Sequence, residues 1–164
     1  MFSKIMIGIL AFLLTIFPNC ASLQGQYQAR TFDREAIQAS IVVAIETRNV
    51  DALKAMMCKN IKDNVPDLSG KIGTLIDMIN GEVIEFDWRS TGGYDKANNG
   101  KRISQTGWSL DIKTAAGEYR LGITWEISNN FAPEETGIRN MGLLFNEPGN
   151  LLALITAPDG IRHW

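Results

Sequence analysis

The sequence predicts an α+β fold in which helices come first and an antiparallel sheet follows. Between residues 33 and 81 the apolar residues recur every three or four positions, as on one face of an α-helix. From residue 83 onward they alternate with polar residues, as in half-buried strands. Short connections between the alternating segments favour antiparallel pairing. We therefore expect three N-terminal helices packed on a curved sheet of four or five strands.

The three predicted helices follow one another closely. Asp33 is expected to cap the first helix and Asn49 to end it, because short polar side chains favour helix boundaries. The second is expected over residues 51–61, with Asp51 in its first turn and an apolar stripe formed by Leu53, Met56, Met57 and Ile61. The third spans residues 66–81, from Pro-Asp to Asn-Gly.

The strands begin where the apolar period changes. In the first, Ile84, Phe86 and Trp88 are expected on the core side. Residues 91–100 are rich in glycine and asparagine and are expected to form a loop. The later strands are expected over residues 108–113, 118–127, 138–145 and 151–156.

Four aromatic residues fall on the apolar side of these strands: Trp88, Trp108, Tyr119 and Trp125. Core packing is the commoner role of a tryptophan at such a position. A ligand that enters between the helices and the sheet would meet the same side chains. They are therefore the predicted pocket lining, and a small apolar ligand is the predicted occupant.

The N-terminus is typical of an export signal. Residues 1–20 contain a short basic start with Lys4 and an uncharged apolar run over residues 5–17. That run is too short to span a membrane as a helix, but it suits the core of a signal peptide. Residues 21–30 are expected to form a flexible tether, and residues 31–164 a single domain.

Three ways of processing this segment stay open. Cys20 follows the apolar run, as the lipid-modified cysteine of a bacterial lipoprotein does, although the preceding Phe17-Pro18-Asn19 is a poor lipobox. Ordinary cleavage after Ser22 would give a secreted protein. An uncleaved anchor over residues 2–17 is the third alternative. Each of them places the domain outside the cytoplasm.

Composition excludes several functions. The net charge is −2, and removal of residues 1–20 with Lys4 leaves 15 basic and 18 acidic residues, which gives −3. This balance provides no attraction to nucleic acid or to an anionic membrane surface. His163 is the only histidine, which excludes His–Asp catalysis, Ser-His-Asp triads and the common zinc sites. No glycine-rich phosphate loop is present, and we expect no metal or cofactor.

Several short segments, in order and spacing, resemble a known family. They are residues 51–60 (DALKAMMCKN), 79–84 (INGEVI), 92–93 (GG), 112–114 (IKT), 117–119 (GEY) and 137–138 (GI). They resemble a family of exported proteins, mostly lipoproteins, of clostridia and other Firmicutes, catalogued as a domain of unknown function within the NTF2-like (cystatin-like) superfamily. The likeness covers residues 33–145. It implies an NTF2-like fold and a lipid on Cys20 at the outer face of the cell membrane.

The resulting expectation is a non-catalytic domain of the cell envelope that binds a small ligand or an envelope protein. Membrane contact would come only from the N-terminal anchor. One alternative is an isomerase-like enzyme that uses Asp87 or Asp111 as a base, although both fall on the polar side of their strands. Another is a module that dimerises or binds a protein partner through the outer face of the sheet.

Overall fold

The computed structural model describes residues 32–145 and 150–158, where four α-helices precede a five-stranded sheet. The chain divides after Asp33, and these elements belong to the unit that begins at Arg34. The helices are α1 (Arg34–Glu46), α2 (Val50–Met56), α3 (Lys59–Asn64) and α4 (Leu68–Met78). The strands are β1 (Val83–Asn98), β2 (Lys101–Thr114), β3 (Glu118–Asn129), β4 (Gly137–Phe145) and β5 (Asn150–Thr156). The predicted α+β class, with helices before an antiparallel sheet, is confirmed.

The helix boundaries follow from local capping. α1 ends at Glu46, and Arg48 then has a φ of 51°, which turns the chain out of the helix. Asn49 caps α2 instead, because its side-chain oxygen accepts a hydrogen bond from the Ala52 N–H at 2.9 Å. Asp67 caps α4 in the same way.

The second predicted helix is in fact two helices, α2 and α3, and the prediction of one helix over 51–61 was wrong. Met57 between them is extended, with φ −69° and ψ 146°. It forms a parallel bridge with Ile138 of β4, and the Cys58 N–H donates to the Ile138 carbonyl oxygen at 3.0 Å. Because β4 offers the backbone a partner, the chain leaves the helix although the apolar stripe continues.

Gly137, the first residue of β4, permits this approach. A Cβ at this position would lie 2.6 Å from the Met56 carbonyl oxygen, and the φ of 137° also favours glycine. Any side chain at Gly137 would therefore push the junction of α2 and α3 away from β4.

The five strands pair in chain order, and every neighbouring pair is antiparallel. β1 is longer than expected because residues 91–98 continue the strand, so the prediction of a loop over 91–100 was wrong. The turn consists of Asn99 and Gly100, whose φ angles are 48° and 77°. Asn-Gly tolerates this left-handed conformation, which suits the twist of a two-residue hairpin.

The start of β1 also differs from the prediction. A register shift lies between Val83 and Glu85 in the pairing with β2. Such a bulge changes the direction of the side chains near it. Ile84, predicted on the core side, is therefore 64% exposed, whereas Phe86 and Trp88 are half-buried.

The core is formed by the apolar faces of the helices and by alternate residues of the central strands. α3 contacts β4, and α4 contacts β5. The largest fully buried side chains are Trp108, Ile41, Leu53, Met57, Ile61, Ile72, Leu75, Leu110, Ile112, Leu121, Ile123 and Ile138. Each contributes about 1.5–3 kcal/mol through burial. None of the helices in the described residues has the length and apolar character needed to cross a membrane.

Candidate functional site

Several predicted features lie outside the described residues. These are the signal segment 1–20 with Cys20, the tether over residues 21–30, the start of the domain at Thr31, and His163 near the C-terminus. Export, lipidation of Cys20 and the tether therefore stay predictions.

The predicted pocket residues form a tryptophan cluster, which we define as Trp88, Trp108 and Trp125. Trp108 and Trp125 stack with their ring centroids 6.1 Å apart, and Trp88 meets Trp108 edge-on, also at 6.1 Å. Trp108 is 1% exposed and Trp125 is 7% exposed. The Arg34 guanidinium of α1 lies 5.8 Å from the centre of the Trp108 ring. The start of α1 thus contacts the cluster through Arg34.

Tyr119, the fourth predicted residue, is also buried, and its hydroxyl accepts a hydrogen bond from the Asn80 N–H at 3.1 Å. This bond ties β3 to the end of α4. The two cavities described below are lined by other residues. A ligand among the tryptophans stays a prediction.

The aspartates considered as catalytic bases form ion pairs on the polar side of the sheet. Asp111 pairs with Arg120 at 2.6 Å and with Arg89 at 2.9 Å, and Asp87 pairs with Arg89 at 3.2 Å. Neither aspartate lines either cavity. With their charges balanced by arginines at the surface, these carboxylates have the surroundings of structural ion pairs.

A second group of polar residues is buried, and the sequence prediction did not include it. Glu126 of β3 is 0% exposed, and its carboxylate accepts hydrogen bonds from three side chains. The donors are Arg139 at 2.9 Å, Gln105 at 3.1 Å and Asn129 at 2.8 Å. We call these four residues the Glu126 cluster. A buried carboxylate is costly unless it is paired and hydrogen-bonded, and here both conditions are met.

The sheet register positions these donors. Gln105 of β2 lies directly opposite Glu126. In the pairing of β3 with β4, the partners of Thr124 and Trp125 are Asn140 and Ile138, so Arg139 is an extra residue. Bulges of this kind re-aim a side chain. The bulge gives Arg139 its place beside Glu126.

Asn129 is held in one orientation by the backbone that follows it. Its side-chain oxygen accepts hydrogen bonds from the Phe131 N–H at 3.3 Å and the Ala132 N–H at 3.1 Å. The amide nitrogen therefore points the other way and donates to Glu126. The turn after β3 and the buried carboxylate thus fix each other.

The Glu126 cluster lies next to a pocket of about 350 Å³. We call it the Arg139 pocket; its lining residues are Asn60, Tyr94, Lys96, Ile103, Gln105, Asn129, Phe131, Ala132, Glu135, Arg139 and Asn140. Its volume lies at the lower end of the range of small-molecule sites, about 300–1,000 Å³. Three members of the cluster line it directly, whereas Glu126 lies behind them.

One wall of this pocket involves the junction of α2 and α3. Glu135 accepts a hydrogen bond from the Asn60 N–H at 3.0 Å. The neighbouring Cys58 is buried, and burial together with the charge of Glu135 raises the pKa of its thiol to about 11. Cys58 is therefore a protonated, unreactive thiol at neutral pH.

A second cavity, of about 310 Å³, lies beside the ends of α1 and α4 and the start of β1. Its lining residues are Ile45, Glu46, Arg48, Ile76, Ile79, Gly81, Glu82 and Val83. Arg48 there donates to Asp77 at 2.9 Å and to the Ile79 carbonyl oxygen at 3.4 Å. Through these hydrogen bonds, Arg48 connects the end of α1 with the end of α4.

In the described part of the chain, metal-ligating side chains do not cluster, and the most exposed apolar side chains of the strands lie at opposite edges of the sheet. No group of three or more metal-ligating side chains occurs there. The most exposed apolar side chains of the strands are Ile84 on β1 and Leu151 on β5, which are 64% and 56% exposed. β1 and β5 are opposite edges of the sheet, so these residues do not form one patch.

Comparison with family models gives a match over residues 40–147, to a domain of unknown function, DUF5104. The chain belongs to this family. The match includes the four members of the Glu126 cluster and ends before β5. A comparison with curated proteins finds no match to the chain.

The Glu126 cluster was missed because its signal is weak in the sequence. In the alternating pattern of β3, Glu126 falls on the polar side, where a charged residue is expected to be exposed. The available hint was Asn129 with Pro133 and Gly137, which mark a tight connection that returns the chain beside Glu126. Arg139, on the next strand, was an obvious candidate partner only once the pairing of β3 and β4 was assumed.

Proposed function

We propose that the protein is an exported binding protein of the cell envelope, with a non-catalytic domain of the NTF2-like (cystatin-like) type. Its binding site is the Arg139 pocket. The observation that carries this proposal is the fully buried Glu126 with three side-chain donors beside a pocket of about 350 Å³. Apolar packing would stabilise the fold at least as well as a buried ion pair, so a role in binding explains why the pair is present.

The cluster holds the polar side of the pocket in a fixed geometry before any ligand arrives. Gln105 and Asn129 are each fixed by a bond to Glu126, and Arg139, with a side chain only 12% exposed, is fixed by the same carboxylate. Preorganised polar groups reduce the entropy lost on binding. The charged and polar groups of the Glu126 cluster are hydrogen-bonded to one another, so none of them is placed to transfer a proton to a ligand. This arrangement favours binding without catalysis.

The cellular setting of the proposal comes from the sequence. Residues 1–20 direct export, and Cys20 carries the lipid that holds the protein at the outer face of the membrane of a clostridial or related Firmicute cell. The helices before a sheet paired in chain order support the NTF2-like assignment. The domain then meets small molecules outside the cytoplasm.

The anchor is tested by the intact mass of the protein isolated from its native membrane fraction. A diacylglyceryl adduct is expected, and Cys20→Ala should abolish it. A mature chain that begins at Leu23 would contradict lipidation and indicate simple secretion.

The binding role is tested by thermal unfolding of the full-length protein in detergent across a broad panel of small polar and apolar molecules. We expect at least one compound to raise the melting temperature, since a ligand that binds only the folded state stabilises it. The double variant Glu126→Leu/Arg139→Met should lose this response. A matched double variant of the surface pair, Asp111→Leu/Arg120→Met, should retain it. A panel in which no compound shifts the wild type would contradict the proposal.

A further inference from the structure

We propose that the Arg139 pocket takes a small zwitterion, an amino acid or a short peptide, whose ammonium group faces Glu135 and whose carboxylate faces Lys96. This inference rests on the proposed binding function and adds the chemical class of the ligand. The positions and charges of the pocket residues carry it.

Lys96 and Glu135 line the pocket from different elements of the fold. Lys96 is on the edge strand β1 and pairs with Ile103, which in turn pairs with Asn129 of β3. Glu135 lies beyond β3, at the end of the 3₁₀ helix Pro133–Glu135. Two strand spacings, about 10 Å, therefore separate the backbones of Lys96 and Asn129, and Glu135 follows Asn129 by six residues. The pocket of about 350 Å³ lies beside both side chains.

The charge of Arg139 is already balanced inside the pocket wall. Its guanidinium pairs with Glu126 at 2.9 Å, and Glu126 is 0% exposed. The pair is neutral as a unit, so it does not favour an anion over a cation. The ligand charge is instead selected by the two ionic groups that remain, Lys96 and Glu135.

These two groups have no ion-pair partner among the described residues. Lys96 is exposed and pairs with no carboxylate there. Glu135 is half-buried and accepts hydrogen bonds from the Asn60 N–H and the Cys58 thiol, and the Lys59 charge acts on it without forming an ion pair. One basic and one acidic group thus face the same small pocket.

The remaining walls suit a short apolar portion of a ligand. Ile103 and Ala132 also line the pocket, and Tyr94 and Phe131 add aromatic rings. Phe131 is 52% exposed, and the Lys101 ammonium lies 5.0 Å from the centre of its ring. An amino-acid side chain or a short peptide backbone would contact these surfaces.

A zwitterion fits this lining better than an ion of one sign. A simple anion would satisfy Lys96 and leave Glu135 desolvated beside a like charge, and a simple cation would do the reverse. A neutral polyol would leave both charges unpaired. The amides of Gln105 and Asn129, which could serve a polyol, donate to Glu126.

The experiment is isothermal titration of the full-length protein in detergent with each of the common amino acids and with dialanine. For the tightest ligand, the N-acetyl form lacks the ammonium group and the amide form lacks the carboxylate. We expect each modified form to bind at least tenfold more weakly. Glucose serves as the neutral probe.

Two variants connect each ligand charge with one residue. Glu135→Gln should weaken the zwitterion at least tenfold but leave binding of the N-acetyl form unchanged, because that form has no ammonium group to lose. Lys96→Met should weaken the zwitterion and leave the amide form unchanged. Matched charge changes outside the pocket, Glu85→Gln and Lys113→Met, should have no effect.

The possible outcomes separate the two proposals. Binding of zwitterions that does not respond to Lys96→Met or Glu135→Gln overturns the inference. Binding of glucose or of other panel compounds that depends on the Glu126–Arg139 pair, without zwitterion binding, overturns the ligand class and leaves the binding function in place. A failure of every probe, including the broad panel, overturns both.

Discussion

The tryptophan cluster and the Glu126 cluster both draw on β2 and β3, but they are stabilised in opposite ways. Trp108 and Trp125 are buried by stacking on each other and by apolar neighbours. Glu126 is buried only because Arg139, Gln105 and Asn129 satisfy its charge and its oxygens. Burial of the tryptophans stabilises the fold directly. Burial of the Glu126 carboxylate costs free energy of desolvation, and the hydrogen bonds of the cluster only offset that cost. This difference indicates that the Glu126 cluster has a role other than stabilising the fold.

The largest expected effect is in the tryptophan cluster. Trp108→Ala should lower the free energy of unfolding by about 3–5 kcal/mol, because it removes contacts with two neighbouring tryptophans and leaves a cavity. Urea unfolding followed by circular dichroism measures the change. A loss below about 1 kcal/mol would mean that this region is loosely packed and that the cluster is open to a ligand.

The next largest effect on the free energy of unfolding is expected in the Glu126 cluster. Arg139→Met should cost about 3 kcal/mol, because it leaves the buried Glu126 carboxylate without its cation. Adding Glu126→Leu should recover most of this loss, since the pair is then replaced by apolar groups. Urea unfolding of both variants tests this. A double variant as unstable as the single one would show that the pair itself stabilises the fold.

A smaller effect concerns the pH response next to the pocket. Burial raises the pKa of Cys58 from 9.0 to about 11, so the folded state holds this proton more tightly than the unfolded state. The favourable effect of the bound proton on stability is complete below pH 9 and is lost as the pH rises from about 9 through about 11, by at most about 3 kcal/mol. The difference in unfolding free energy between wild type and Cys58→Ala should shrink over this range. A constant difference would contradict the raised pKa.

The smallest effect is expected at the surface pairs. Asp111→Asn should change stability by less than about 1 kcal/mol, because its arginine partners are 47% and 61% exposed and water screens the pairs. The change should shrink further in 1 M salt. Urea unfolding at low and high salt measures it. A loss of ligand response in this variant would point to a role for Asp111 that its ion pairs do not explain.

The sequence predicted the apolar half of this molecule well. Alternation placed Trp108, Leu110 and Ile112 together on one strand face, and helical spacing found the stripes of α1 and α4, because burial of apolar residues leaves a local periodic pattern. Errors came where backbone pairing between strands or at a helix junction overrides the apolar pattern. β4 interrupts the expected second helix at Met57, and the Asn99-Gly100 turn extends β1 through the expected loop.

The candidate site was not predictable in the same way. Arg139 approaches Glu126 only because of a bulge in β4, and Asn129 is oriented by the turn that follows it. Neither a bulge nor the partner of a buried charge leaves a periodic signal in the chain. The sequence therefore indicated an apolar pocket among the tryptophans, whereas the cavity beside the Glu126 cluster is lined by both charged and apolar side chains.

The most direct test of the proposed site is urea unfolding of the double variant Glu126→Leu/Arg139→Met, with and without the compound that stabilises the wild type most. The expected result is a stability within about 1 kcal/mol of the wild type and no stabilisation by the compound. A double variant that is strongly destabilised, or one that is still stabilised by the compound, would contradict a cluster maintained for binding.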